Sequence, residues 1–403
     1  DRFLKGVLGV KANVTMGPAV EVTQASLDLT NAEVDAKTIS WSKPAGSPAT
    51  LDITTEKKDG ITRISAFDLK AKDIAAKGAI DFNSTLTEIR RVSMEKLQLG
   101  RTSLSTLNFE AFSDGLKLTA IGKSADLSGF LGSRDDSEGT FSFQHFPAIE
   151  FKADIDTMYM AQGRTFSAFK GTLSCSARRC ENANITGTTA DKPFHFRILR
   201  NPKGQRQLSL HAENAGEFLK ALDIYTKMEG GDLSITGNYE DGAKSSLLRA
   251  RIHIGEHAIK KAPVLAKILS LASLTGFIDV LEGNGIRFSK MIIPFTLQND
   301  VITVSKARAY GSAIGITAEG TVVFPKVLFD IKGTVVPAYA ANTILGKLPI
   351  IGDILTGGGP GQGVFAGSYS VKGTYENSEV SVNPLSMLTP GFLRGIFDAG
   401  DKQ

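Results

Sequence analysis

Cys175 and Cys180, in LSCSARRCEN, are the two cysteines of the chain. Leu173 and Cys175 alternate as a strand does, and Ala177, Arg178 and Arg179 suit a hairpin tip. Two readings stand. A disulfide across that tip suits an oxidising compartment and closes a very small loop of little global effect; free thiols suit a reducing one. A metal centre is not indicated, because no second Cys or His pair completes a set of ligands. The five histidines are His145, His195, His211, His253 and His257. Only His253 and His257 are four apart, and no carboxylate stands in HExxH register with them. If that stretch begins as a strand, Arg251, His253 and Gly255 share a face and His257 lies beyond a bend. The spacing predicts surface or packing histidines.

The run Gly357-Gly358-Gly359-Pro360-Gly361-Gln362-Gly363 invites a phosphate-loop reading, but the context opposes it. A Walker loop needs Gly-Lys before Ser or Thr, and a dinucleotide loop needs a strand before and a helix after. Here helical text precedes and strand text (Val364, Phe365) follows, so a flexible turn is expected. No Gly-x-Ser-x-Gly elbow occurs. Acidic residues alternate with apolar ones or sit in turns, as on solvated strand faces. A glycosidase-type acid pair has no local signature, so the sequence does not address it. Asn13, Asn83 and Asn184 head Asn-x-Ser/Thr triplets, which matter only in a glycosylating pathway. No catalytic group, metal or cofactor is expected.

The chain has 403 residues and a formal net charge of only +4, without a dense Lys/Arg block. Phosphate binding needs a concentrated basic face, so nucleic acid is not an expected partner. No apolar run reaches the roughly 18 residues of a membrane span. The chain opens at Asp1 on folded-looking text, which reads as a piece of a longer protein whose targeting or anchoring segment lies upstream.

What must position any function is mostly strand. Val20 and Val22 alternate with polar residues, and Leu27 and Leu29 continue in shifted register. Leu51 and Ile53, Leu97 and Leu99, Leu107 and Phe109, Leu116 and Leu118, Phe141 and Phe143, Phe194, Phe196 and Ile198, and Leu208 and Leu210 repeat the pattern. Period-2 text predicts strands with one apolar and one polar face. Asp59-Gly60, Asp114-Gly115, Asp241-Gly242 and Asn284-Gly285 supply turns. The expectation is many short antiparallel strands, without the long helices that parallel units require.

Helical text is sparse. One turn is expected at Asp126–Leu131, and a helix at Ala215–Met228 stopped by Gly230-Gly231. Ile259–Leu281 reads as helical with Pro263 in its first turn, broken near Ser273 and Thr275. It carries Leu265, Ile268 and Leu269, then Phe277, Ile278 and Leu281. Further amphipathic helices are expected at Ala338–Leu345 (Ile344, Leu345) and Ile350–Leu355 (Ile350, Ile351, Ile354, Leu355). A last one, Leu385–Phe397 (Phe392, Leu393, Phe397), is kinked at Pro390-Gly391. Each has one apolar stripe, which serves equally to plug a sheet or to touch a bilayer.

Four blocks in order resemble the C-terminal region of the AsmA-like proteins, especially their YhdP-type branch. They are KAPVLAKILSLASLTGFIDVLEGNGIRFSKMIIPF (Lys261 to Phe295), ARAYGSAIGITAEGTV (Ala307 to Val322), GTVVPAYAANTILGKLPIIGDILTGG (Gly333 to Gly358) and VNPLSMLTPGFLRGIF (Val382 to Phe397). FLKALDIYTKMEGGDLSITG (Phe218 to Gly237) is similar more weakly, and the first two hundred residues only in their repetitive strands. The resemblance implies inner-membrane-anchored proteins of the Gram-negative envelope, projecting into the periplasm. It implies bridge-like lipid transfer along a curled, apolar β-groove, support of the outer-membrane barrier, and no enzymatic activity. The family's N-terminal transmembrane helix is not in this chain.

The expected fold is therefore mainly β: an elongated, curled antiparallel sheet forming a groove, with a few short amphipathic helices mostly in the C-terminal third. Residues 1–212 would be repetitive groove and 213–403 the AsmA-like region. About 20 strands spaced ~4.8 Å apart would make a trough on the order of 100 Å long. Phospholipid is the expected cargo, with a membrane surface at the C-terminal end and envelope proteins as further partners. Candidate lining residues are the alternating aromatics Phe141, Phe143, Phe151, Phe194 and Phe196. The same residues would serve a closed sandwich core. The alternative function is an envelope scaffold that binds proteins and conducts no lipid.

Overall fold

The computed structural model describes residues 4–17, 20–36, 41–58, 61–83, 88–129, 148–176, 179–242, 245–272, 278, 281–324, 327–337, 367–374 and 377–383. The chain divides into two compact units, one holding Asp1–Gly129 and Phe146–Thr188, the other holding the rest. Ala212 belongs to a ladder that continues on both sides of it.

The first unit carries β1 (Leu4–Gly6), β2 (Gly9–Met16), β3 (Val20–Asp28), β4 (Ala32–Ala36), β5 (Trp41–Lys43), β6 (Ala49–Lys58) and β7 (Ile61–Ala71). It continues with β8 (Ile74–Phe82), β9 (Ile89–Leu99), β10 (Thr102–Phe112), β11 (Gly115–Asp126), β12 (Ala148–Tyr159), β13 (Thr165–Ser176) and β14 (Arg179–Thr189). The second unit carries β15 (Lys192–Arg200), β16 (Arg206–Ala212), β17 (Met228–Gly230), β18 (Leu233–Asp241), β19 (Ser246–Ile254) and β20 (His257–Ile259). Then follow β21 (Ile286–Phe288), β22 (Lys290–Gln298), β23 (Val301–Tyr310), β24 (Ile314–Val323), β25 (Leu328–Pro337), β26 (Gly367–Gly373) and β27 (Ser378–Asn383).

The fold is mainly β, a curled sheet of 21 strands in chain order. The ladder stays open: among the described pairings β2 meets only β3, and β27 only β26. Two small three-stranded sheets, β1-β4-β5 and β17-β20-β21, come from segments inserted between consecutive strands of the large one. Bulges interrupt the ladder, for example between Ile64 and Phe67, between Ser167 and Lys170, and between Val304 and Ala307. Each adds local twist and bends its strand, which is how a long sheet curls. Ala168 and Lys306 take left-handed φ values of 48° and 50° at two of these bulges. Pro294 falls inside β22 next to another, where its missing N–H is tolerated.

One pairing departs from the antiparallel expectation. β11 and β12 run parallel, with Gly115 beside Ala148 and Asp126 beside Tyr159. Nothing local distinguishes a parallel strand; the direction is set by where the chain returns after Gly129.

The two described helices are shorter than the sequence pattern suggests. Ala215–Ala221 is capped by Asn214, whose side chain accepts from the Glu217 N–H at 3.1 Å. It ends at Leu222, because Asp223 adopts φ 54°; the text up to Met228 is not helical, and Met228 opens β17. Pro263–Leu271 has Pro at its start as expected, but Ile259 upstream is a strand residue of β20. The proposed helices at 338–345, 350–355 and 385–397 lie outside the described residues, as do Phe277, Ile344, Leu345, Ile350, Ile351, Ile354, Leu355, Phe392, Leu393 and Phe397.

Candidate functional site

Cross-strand register shows which side chains share a face, since partners across a ladder point the same way and neighbours along a strand alternate. In the first unit one such row reads Leu27, Leu51, Leu69, Ala76, Leu97 and Leu104. Beside it run Met94, Leu107, Ala120, Ala153, Gly171 and Ile185. A third row is Val92, Phe109, Leu118, Phe151, Leu173 and Ala183. The opposite face is polar and internally paired. Ser26 donates to Asp52 at 2.6 Å, Ser93 to Asn108 at 2.9 Å, and Lys170 meets Asp154 at 3.2 Å.

The second unit repeats the arrangement. Phe194, Ala212, Leu233, Ile254, Met291 and Ala309 form one row. Phe196, Leu210, Ile235, Ile252 and Ile293 form the next. Ile198, Leu208, Gly237, Ala250, Phe295 and Val304 form a third.

Burial separates these rows. In the first unit the row from Val92 to Leu173 is half-buried throughout, as are Leu27, Leu51, Leu69, Met94, Leu97 and Leu107. In the second unit Phe196, Leu210, Ile235, Ile252, Ile293 and Phe295 are half-buried. The middle of a closed sandwich would exclude water from these positions. Their exposure marks an apolar face left partly open.

One margin of each face is covered. In the first unit Leu29, Ala49, Ile74 and Trp41 are buried beside the small sheet, and the Trp41 indole donates to Asp73 at 3.0 Å. Lys43 anchors this sheet: its ammonium reaches the carbonyls of Thr30, Ala32, Pro44 and Ser47 at 3.2, 2.8, 3.0 and 2.9 Å. In the second unit helix Ala215–Ala221 sits over the first row, with the Phe194 and Phe218 rings 5.1 Å apart. Helix Pro263–Leu271 packs in a core with Ile286, Phe288, Ala309, Ile314, Val335 and Tyr369.

Those placements sort the sequence candidates. Phe151 is half-buried on the open part of its face, against Gly171, where an added Cβ would lie 3.3 Å from the rings of Phe151 and Phe169. Phe196 is also on an open row, whereas Phe194, on the same face of the same strand, is buried under a helix. Phe141 and Phe143 lie outside the described residues. Ile268 and Leu269 point into the sheet and are buried, so membrane contact is corrected to packing for both; Leu265 packs partly against the same core. Cys175 and Cys180 are register partners across the β13–β14 hairpin and form a disulfide. The aliphatic members of the open rows, such as Leu107, Leu118 and Leu173, line the face as fully as the aromatic candidates do. Their signal was already there, in the alternation of Leu107 with Phe109 and of Leu116 with Leu118.

Polar groups on the apolar face are few and matched. Arg206 shares the face of Leu208 and Leu210 and is buried. It donates to Asp241 at 2.9 Å and Ser246 at 3.1 Å, and its guanidinium lies 4.0 Å from the Tyr239 ring centre. Burial pushes the Tyr239 phenol above its ordinary range. A depression of about 350 Å³ is lined by Lys117, Thr119, Glu150, Lys152, Thr172, Ser174 and Asn182, with Leu118, Phe151 and Leu173 between them. The next residues of the apolar rows, Ala120, Ala153, Gly171 and Ala183, take no part in it. It therefore opens on the polar face. No group of three or more metal-ligating side chains exists among the described residues, and no described helix is long and apolar enough to cross a membrane. Comparison with family models, curated proteins and solved structures found no match.

Proposed function

We propose that this chain is a non-enzymatic lipid-transfer protein, which holds the acyl chains of phospholipids against its apolar face and lets them move along it. The observation that carries this reading is the pair of half-exposed apolar floors, continuous from strand to strand within each unit. Each methylene taken from water contributes roughly 0.8 kcal/mol, so a lipid resists leaving for solvent. A floor of similar Leu, Ile, Val and Phe side chains offers no deep minimum along its length, so sliding costs far less than escape. The Cys175–Cys180 disulfide supports an oxidising location such as the periplasm, between the two membranes of a Gram-negative envelope.

The test is site-specific photocrosslinking in cells, with a photoreactive residue at Leu118 or Phe196 on the apolar face and at Asn184 or Asn238 on the polar one. Lipid adducts are expected at the first pair alone, together with phospholipid in native mass spectra of the purified chain. Equal labelling of both faces, or a lipid-free protein that crosslinks only to other proteins, would reject the reading.

A further inference from the structure

Three of the five histidines share one row on the polar face of the second unit. Register carries this row from His195 on β15 to His211 on β16, Ser234 on β18 and His253 on β19. His195 and His211 are direct partners across the β15–β16 ladder, with ring centres 5.5 Å apart and planes tilted by 36°. Both side chains are half-buried, so each ring still reaches solvent. Neither ring makes a hydrogen bond or an ion pair among the described residues. No sequence motif announces the pair, because the two residues stand on different strands and only the ladder brings them together.

We propose that His195 and His211 chelate a divalent transition metal of borderline softness, such as zinc, copper or nickel. The spacing suits that role. In a tetrahedral centre with metal–nitrogen bonds of about 2.0–2.1 Å, two coordinated imidazole rings have their centres about 5 Å apart. The pair already stands near that separation, so the backbone need not move for one nitrogen of each ring to meet a common ion. The donor set selects the metal. Two imidazoles, with no carboxylate on the row, suit these ions and not calcium or magnesium, which take oxygen ligands. Among the described residues no third ligand joins the pair, so the remaining positions go to water. His253 stands two strands beyond His211, on the far side of Ser234, and is not part of the site. Arg197, two residues along β15 on the same face, acts electrostatically on His195 and opposes a bound cation. Two ligands and an opposing charge make an exchanging site, which loads and empties with the ambient metal. On the opposite face of the same two strands lie Phe194, Phe196 and Leu210, so a bound ion staples strands that carry part of the apolar floor. The inference is independent of what that floor carries.

The test is calorimetric titration of zinc into the full chain, free of any histidine tag, at neutral pH. Saturable binding of one ion per chain is expected. His195→Asn and His211→Asn should each keep the circular dichroism of the parent and weaken binding by about tenfold or more. Arg197→Gln should tighten binding, and His253→Asn should leave it unchanged. The thermal midpoint of the parent should rise with added zinc, and that of either asparagine variant at His195 or His211 should not. Copper loaded into the parent chain gives a readout that depends on no variant: its electron paramagnetic resonance spectrum should show coupling to two ring nitrogens. A parent chain without saturable zinc binding, or binding indifferent to the loss of either His195 or His211, would overturn the proposal. A copper spectrum with a single nitrogen, or binding that follows His253 instead of the pair, would overturn it as well.

Discussion

Phe194 and Phe196 stand two residues apart on the same face of β15, and the open-floor reading assigns them different energetic roles. Phe194 is 4% exposed and meets Phe218 of the covering helix at 5.1 Å, while Phe196 is half-buried beside Leu210. Truncating a buried Phe to Ala costs about 3–5 kcal/mol, because a cavity adds to the lost transfer energy. The ring pair adds about 0.5–1.5 kcal/mol beyond area, which places Phe194→Ala at the upper end of that range. At Phe196 solvent fills the space, so only the transfer term applies. Full burial of Phe contributes roughly 1.5–3 kcal/mol, and a half-exposed ring about half of that. Phe196→Ala should therefore cost about 1 kcal/mol, several kcal/mol less than its neighbour. Urea unfolding followed by circular dichroism, with midpoints compared at constant slope, measures the difference. Phe196→Asp should unfold near the wild-type midpoint while losing photocrosslinks to lipid at neighbouring Leu210. Equal destabilisation by the two alanine variants would refute the reasoning, because it would mean that a second layer covers the row containing Phe196.

Lys43→Met should destabilise the first unit by about 2–4 kcal/mol, because it strands the carbonyls of Thr30, Ala32, Pro44 and Ser47 that the ammonium now serves; thermal unfolding read from the fluorescence of Trp41 checks it. His257 is buried on Phe288 with Nδ1 at 2.7 Å from the Gly255 carbonyl, and burial lowers its pKa against the opposing effect of that hydrogen bond. The unfolded chain therefore binds the proton more readily, and stability should fall as pH drops below the ordinary histidine value of about 6.5. His257→Asn, whose amide can still donate to Gly255, should flatten that part of the urea-midpoint profile; an unchanged profile would assign it elsewhere, His195 being the other histidine held low by burial. Reducing Cys175–Cys180 should cost about 2 kcal/mol at most, since the bridge spans a sequence separation of only 5; a larger shift in the urea midpoint would contradict the loop-entropy argument.

The strands and their apolar face were legible because burial on one side forces period-2 text: Leu51 and Ile53, Leu107 and Phe109, and Phe194 and Phe196 each fall on one face of one strand. What the text could not carry was anything set by a distant partner. The parallel pairing of β11 and β12 depends on where the chain re-enters the sheet, and Ala148 looks like any other strand start. Helical periodicity continued through Leu222 and Tyr225, but the left-handed Asp223 ends the helix before them. Ile259 read as the start of a helix and ends a strand, because β17 and β21 offer edges on both sides of it. Most telling is the burial of Ile268 and Leu269. An apolar stripe reads the same whether it faces lipid or a sheet, and only the core around Ile286, Phe288 and Val335 decides the matter.

The two margins of the second unit are built differently. Ala212, Leu233, Ile254 and Met291 lie at the strand ends where the inserted segments leave and return: helix Ala215–Ala221 with β17, then β20, helix Pro263–Leu271 and β21. At the opposite strand ends the connections are tight. Arg200 pairs with Arg206 around a short loop, Asp241 with Ser246, and Gln298 with Val301 through Asn299 and Asp300, both in left-handed conformation. Connections of two to five residues are too short to fold back over a neighbouring strand. Among the described residues the inserted elements therefore gather at one margin by topology, while the other is closed by side chains of the strands themselves, with Arg206, Ile198 and Leu248 buried there. The covered margin supplies the dry core that stabilises the unit; the middle rows, freed from that task, can stay exposed without loss of the fold.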